Sequence, residues 1–154
     1  MPEEIGVDMA RMKITKAPNK LVALGIGSCI VITLYDPILK IGALAHTMLP
    51  SSAAGVESRN PLKYADKAID EMIRKMKAMG SMVQDLEAKI VGGANMFPSI
   101  KSKAIAMGEE NINAVKKKLE KEGIRLTGEA TGGGVGRSVE FDIGSGVVTI
   151  RIKI

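Results

Sequence analysis

Two nearly unbroken apolar runs dominate the first third of the chain. Cys29 to Tyr35 is rich in β-branched residues, Lys40 to Leu49 is similarly apolar, and Asp36-Pro37 between them is a turn starter. The pattern predicts a β-hairpin. A loop over Asp36, Pro37, Ile38 and Leu39 sets Tyr35 opposite Lys40, and continuing that register sets Cys29 opposite His46. Facing residues on one sheet face have Cβ atoms roughly 4.5–5.5 Å apart, close enough for a thiol and an imidazole to share a proton. A slip of a single residue would send one of them to the other face.

Around this hairpin the periodicity alternates between strand and helix. Met9 to Ile14 and Lys20 to Leu24 are short strand candidates leading to the glycine-serine turn Gly25-Ile26-Gly27-Ser28. Asn60-Pro61 is a capping residue followed by proline at a first helical position. Ala65, Ala68, Ile69, Met72, Ile73, Met76 and Met79 then keep a helical stripe that Gly80 ends, and such a stripe reads as core packing. Leu86, Ala88 and Ile90 alternate with Glu87 and Lys89 into Gly92-Gly93, a half-buried strand ending in flexible backbone. Ile105 to Glu122 is a second amphipathic helix carrying Ile112, Val115 and Leu119, stopped by Gly123, with Ile124 to Leu126 starting another strand. Arg137 to Ile143 and Val147 to Ile154 flank Gly144-Ser145-Gly146 as a C-terminal hairpin. The expected fold is α/β, a single-domain layered sandwich over 1–154 with a mostly antiparallel or mixed β-sheet and two main amphipathic helices packed on it.

Composition narrows the functions this fold could carry. The formal net charge of +5 invites a nucleic-acid partner, but the basic residues alternate with acids along the expected helices and aromatics make up only 3%, too few to stack on bases. The basic surplus suits steering toward an acidic protein instead. One cysteine allows no intrachain disulfide, and no leader or bilayer-length apolar run is present, so a cytoplasmic protein without membrane insertion is expected. One cysteine and one histidine leave no metal-ligand spacing, and no metal is expected. Gly25-Ile26-Gly27 lacks the third glycine and following helix of a dinucleotide site. Thr131-Gly132-Gly133-Gly134-Val135-Gly136-Arg137 lacks the lysine ending of a P-loop. Backbone N–H groups of that second segment suit an anion or a carboxamide, with Arg137 nearby, and a surface loop is its plainer reading.

Cys29 behind its glycine turn and His46 on the next strand are the candidate chemistry. A histidine beside a thiol can take its proton and leave a nucleophilic thiolate, while glycines before the nucleophile free N–H groups at Gly27, Ser28 and Cys29 for a developing oxyanion. Taken alone, the two residues also fit a buried thiol and a packing imidazole.

The stretch Leu24-Gly25-Ile26-Gly27-Ser28-Cys29-Ile30, His46, the Gly92-Gly93-Ala94-Asn95-Met96-Phe97 block and the Thr131 to Arg137 segment resemble the CheD family of chemoreceptor glutamine deamidases, over nearly the whole chain and in the same order. The resemblance implies that Cys29 attacks the side-chain amide of receptor glutamines with help from His46; in that mechanism the backbone at Gly27 and Ser28 is expected to hold the oxyanion, and no cofactor is expected. Gly92 and Gly93 are candidates for close substrate approach. It further implies binding to the cytoplasmic domain of chemoreceptors and to a CheC-type phosphatase. The family usually carries a threonine where this chain has Ala23, so a third group to orient the imidazole must come from the Ala23 carbonyl or a hydroxyl such as Ser28 or Thr47. That departure keeps a second reading open, a non-catalytic or weakly catalytic adaptor acting by binding.

Overall fold

The computed structural model describes residues 2–48, 60–94 and 103–152, with side chains from residue 112 onward in the last stretch. Three layers stack. A five-stranded sheet of order β2-β5-β4-β6-β7 lies in the middle, two helices cover one of its faces, and a four-stranded sheet of order β1-β3-β8-β9 covers the other. The central sheet comprises β2 (Arg11–Lys16), β4 (Ile30–Asp36), β5 (Ile41–Thr47), β6 (Glu87–Gly92) and β7 (Arg125–Thr131). The outer sheet comprises β1 (Glu4–Gly6), β3 (Lys20–Ile26), β8 (Arg137–Asp142) and β9 (Val148–Ile152). Both sheets are mixed, with β1–β3 and β6–β7 parallel and the other pairs antiparallel. The layered α/β sandwich is as the periodicity predicts, and its strands are divided between two sheets.

Every residue of β4 and β5 is buried, which is why their sequences run apolar without alternation. Ile30, Ile32 and Leu34 face the helices with Ala43 and Ala45, and Val31, Tyr35 and Leu44 face the outer sheet. Gly42 is essential to the second contact, because a Cβ there would lie 2.5 Å from Ile143 Cδ1 and 2.9 Å from the Phe141 ring.

The hairpin turn differs from its expected form. Asp36 closes β4 opposite Ile41, the loop is Pro37 to Lys40, and Tyr35 faces Gly42 rather than Lys40. Asp36 explains the displacement. Its Oδ1 accepts the N–H groups of Ile38 and Leu39, and its Oδ2 accepts the Ser81 hydroxyl at 2.7 Å. The buried carboxylate is thus pinned as the last strand residue, and Lys40 turns out of the ladder at φ 52.

Asn60 and Pro61 do form a cap, but over a 3₁₀ turn, Pro61–Lys63, in which Asn60 Oδ1 accepts the Leu62 N–H. Helix α1 starts later, at Ala65–Ala78. Met72 and Met76 are fully buried, whereas Met79, at the C-cap before Gly80, is 38% exposed. Helix α2 (Lys103–Glu122) ends in a glycine cap: Gly123 takes φ 73, its N–H donates to Glu120 O, and Ile124 N–H donates to Leu119 O. Ile124 packs in the same core as Val115 and Leu119, so the cap also anchors the entry to β7. Lys118 Nζ ties α2 to α1 through Asp70 at 2.7 Å. Leu49, Asn95, Met96 and Phe97, the side chain of Ile105 and residues 153–154 lie outside the described residues.

Candidate active site

Strand β3 brings the chain to the site through a β-bulge. Ala23 pairs with Val139 and Ile26 with Arg137, so three steps on β3 match two on β8, and Gly25 absorbs the extra residue at φ 65. Leu24 is expelled to solvent at 71% exposure while Ala23 and Ile26 both point inward. Gly25-Ile26 therefore belongs to the strand, and the turn is Gly27-Ser28-Cys29. At this turn the chain leaves the outer sheet and enters the central one.

Residues Gly92 and Gly93 meet this turn from behind. Gly93 N–H donates to Cys29 O and Ala94 N–H to Gly27 O, both at 2.9 Å. Gly92 has φ 120, and a Cβ on it would stand 2.2 Å from Cys29 O. At Gly92 the missing side chain permits a close approach of the Cys29 backbone. With the carbonyls of Gly27 and Cys29 committed, the N–H groups of Gly27 and Ser28 donate no backbone hydrogen bond among the described residues. These backbone donors are therefore uncommitted within the described fold.

His46 faces Val31 on one side and Arg11 on the other, not Cys29. The expected register is displaced by two residues, a consequence of the Asp36-pinned turn. A two-residue displacement preserves face, so His46 stays opposite Val31 on the side of the layer between the sheets, two residues along from the Cys29 that precedes β4. His46 is 4% exposed, and neither ring nitrogen has a hydrogen-bond partner among the described residues, Cys29 included.

Burial governs the protonation of both groups. It pushes the Cys29 thiol up, opposed by the residue's own N–H, and it pushes the His46 imidazole down, opposed by the Val7 carbonyl and the Asp8 carboxylate. Burial thus disfavours the charged form of each group and works against the ready-made ion pair expected from the sequence.

Of the groups expected to orient the imidazole, Thr47 is on the wrong face: adjacent strand residues alternate, and its hydroxyl donates to Ile30 O at 3.2 Å. Ala23 is 1% exposed and faces the layer between the sheets. The backbone beside the ring is Val7, which the sequence did not suggest. Val7 N–H donates to Val22 O, extending the β1–β3 pairing, and the chain then crosses to the central sheet, where Ala10 N–H donates to His46 O at 2.8 Å. This strap passes over His46 and leaves the Val7 carbonyl close to the ring, short of hydrogen-bond geometry. The only advance signal was the weak alternation of Ile5 and Val7. Among the described residues no cluster of three or more His, Cys, Asp or Glu is arranged to hold a metal, and no helix is long and apolar enough to cross a membrane.

A three-layer α/β sandwich with its one cysteine at a sheet-to-sheet turn and its one histidine buried nearby thus defines the site. A family model described as "CheD chemotactic sensory transduction" matches residues 48–152. Similarity to full-length relatives carries the match across the turn and His46. "Chemoreceptor glutamine deamidase CheD" of Thermotoga maritima is 44% identical over 98% of this chain and 92% of its own length. "Probable chemoreceptor glutamine deamidase CheD" of Desulforamulus reducens is 44% identical over 96% and 90%, and the protein of the same name from Clostridium novyi is 45% identical over 97% and 93%. The chain belongs to the CheD family. A solved structure, the hypothetical protein YfiH of Bacillus licheniformis, aligns with a TM-score of 0.48 at 16% identity over 78% of this chain and 49% of that one, so this chain spans about half its length.

Proposed function

We propose that the 154 residues form one CheD-like domain that deamidates glutamine side chains of methyl-accepting chemotaxis receptors in the cytoplasm, using Cys29 as nucleophile and His46 as its proton carrier. It is a protein-glutamine glutaminase, an amide hydrolase that needs no cofactor. The observation that carries the reading is His46 itself: buried, without a hydrogen-bond partner at either ring nitrogen among the described residues, and on the strand that pairs with β4, which begins one residue after Cys29. A structural histidine this deep would ordinarily spend its polar atoms on a partner.

In this mechanism the pair starts neutral, as burial favours. As Cys29 Sγ attacks the carboxamide carbon, His46 takes the thiol proton, and the N–H groups of Gly27 and Ser28 receive the oxyanion. Collapse of the tetrahedral intermediate breaks the C–N bond, the imidazolium delivers its proton to the nitrogen, and ammonia leaves. Water activated by His46 then cleaves the Cys29 thioester, giving glutamate and the free thiol. Starting from a neutral pair means that thiolate forms as substrate arrives, which protects a half-exposed cysteine from idle oxidation.

The same reading includes binding to a CheC-type phosphatase, which the basic surplus would steer if that partner is acidic. A second reading, the adaptor, draws on Ala23 and on the absence of a Cys29–His46 hydrogen bond. Intact-mass analysis of a cognate receptor cytoplasmic domain separates the two. Deamidation adds about 1 Da per glutamine, and Cys29→Ala should abolish the gain while leaving receptor binding in place. No gain from the unaltered protein, with binding to receptor or phosphatase at micromolar affinity or better, would replace the enzyme with the adaptor.

A further inference from the structure

Arg137 is 9% exposed and projects from β8 into the layer between the sheets, on the same face as Val139 and Phe141. Its guanidinium donates to backbone carbonyls: Nη2 to Gly132 O at 2.8 Å, and Nη1, more loosely, to Gly92 O at 3.4 Å. No carboxylate partners it among the described residues. A buried charge held by carbonyls alone adds little stability over an apolar residue of similar size. The reason for an arginine at this point therefore lies in what its fork holds together.

The fork holds the backing of the nucleophile turn. Gly132 N–H also donates to Gly92 O at 3.0 Å, so that carbonyl is gripped from two sides. The next two residues, Gly93 and Ala94, are the ones whose N–H groups fix Cys29 O and Gly27 O. On the entry side, the Arg137 backbone pairs with Ile26, the residue immediately before Gly27. A single residue thus spans both sheets at the point where the chain crosses between them. Packing leaves no slack: a Cβ on Gly133 would lie 3.3 Å from Arg137 Nη2, and one on Gly92 would collide with Cys29 O.

We propose that Arg137 is a positioning residue for the nucleophile turn, a cross-sheet clamp on the Gly92 and Gly132 carbonyls that holds the Gly27–Cys29 backbone in its oxyanion-binding geometry. The proposal rests on Cys29 being the nucleophile. A lysine has the charge but lacks the planar fork that serves two carbonyls together. Losing the clamp lets the turn drift, and a displacement of 1 Å at a reacting group costs about 100-fold in rate.

The test compares Arg137→Met and Arg137→Lys with the unaltered protein, by receptor deamidation kinetics and by NMR hydrogen exchange of single amides. The clamp requires kcat to fall about 10- to 100-fold in Arg137→Met with KM within about twofold. It also requires faster exchange at Gly93 and Ala94 with no change at Ile32, partial recovery with millimolar guanidinium, and a smaller loss in Arg137→Lys. Unchanged kcat and unchanged exchange in Arg137→Met would overturn it, as would exchange accelerated equally throughout the molecule. If Arg137→Met does not fold, Arg137→Lys decides, since wild-type kcat and exchange in that variant also overturn the clamp. Should the unaltered protein give no mass gain, the deamidase reading fails separately. The clamp is then decided by amide exchange at Gly93 and Ala94 and by the alkylation rate of Cys29, both of which must change in Arg137→Met.

Discussion

The two faces of the same pair of strands, β4 and β5, do different work. Toward the helices, Ile30, Ile32, Leu34, Ala43 and Ala45 meet Ile69, Met72, Met76 and Leu119 in an apolar layer, and the polar groups at its ends, Asp36 and Thr47, are hydrogen-bonded. Toward the outer sheet, the layer is apolar in its middle, at Leu21, Leu44 and Phe141, but at one end it holds His46, Arg137 and the Cys29 turn. Both faces are buried, and among the described residues the unpaired buried side-chain atoms, the His46 ring nitrogens, lie on the second. A side chain whose donors and acceptors are unsatisfied inside a protein costs stability, so it must be supported by packing elsewhere. The helix face supplies that support, and the end of the inter-sheet layer holds the unpaired His46 and the left-handed glycines that the proposed chemistry draws on.

If the two faces are separable in this way, substitutions should sort cleanly by face. The largest effect is expected at Gly92→Ala. Its φ of 120 disfavours any Cβ, and that Cβ would strike Cys29 O. Turnover on receptor should fall at least about 100-fold, and mass analysis of receptor after timed incubation measures it. Activity within a few-fold of the unaltered protein would mean that the turn does not depend on its backing.

On the opposite face, Ile32→Ala should cost about 2–5 kcal/mol of unfolding free energy through the cavity it leaves. The kcat of the molecules that remain folded should be unaltered. Urea titration alongside kinetics below the transition distinguishes the two quantities, and a matched loss of kcat would show that the helix layer also sets the site.

The protonation of His46 gives a smaller effect with a fixed sign. Burial lowers its pKa in the folded state, so below the ordinary imidazole value of about 6.5 the unfolded chain binds more protons, and stability is lost as the pH is lowered. Relative to His46→Asn, the unaltered protein should lose more Tm between pH 7.5 and 5.5, and equal losses in thermal melts of the two proteins would mean that His46 titrates alike folded and unfolded. For Cys29 the direction is reversed. Burial raises the thiol, so iodoacetamide should alkylate the substrate-free protein along a profile centred above the ordinary thiol value of about 8.5. A profile centred below that value would restore the preformed ion pair. The least effect is expected at Ala23→Thr. A hydroxyl in this tightly packed layer should raise turnover a few-fold if the Val7 carbonyl leaves the imidazole poorly held, and should leave it unchanged if that carbonyl already orients the ring.

Much of this molecule was legible in its sequence, for local reasons. Unbroken apolar runs marked β4 and β5 because both of their faces are covered, and the stripe from Ala65 to Met76 marked α1 because a helix buries one side. Gly123 marked the end of α2 because a left-handed cap suits glycine. The motif residues Cys29, His46, Gly92 and Gly93 were likewise singled out, and all fall at one end of the inter-sheet layer. What neighbours along the chain could not specify was decided by long-range contacts. Ser81 fixes Asp36 and so shifts the hairpin register by two residues. The crossing of Val7 to Ala10 brings a carbonyl to His46, and Arg137 joins two glycine segments far apart in sequence. Periodicity reports which face a residue occupies, since that follows from backbone geometry alone. Which residue stands opposite it depends on where distant segments dock, and that is settled only when both sheets and both helices close on a common core.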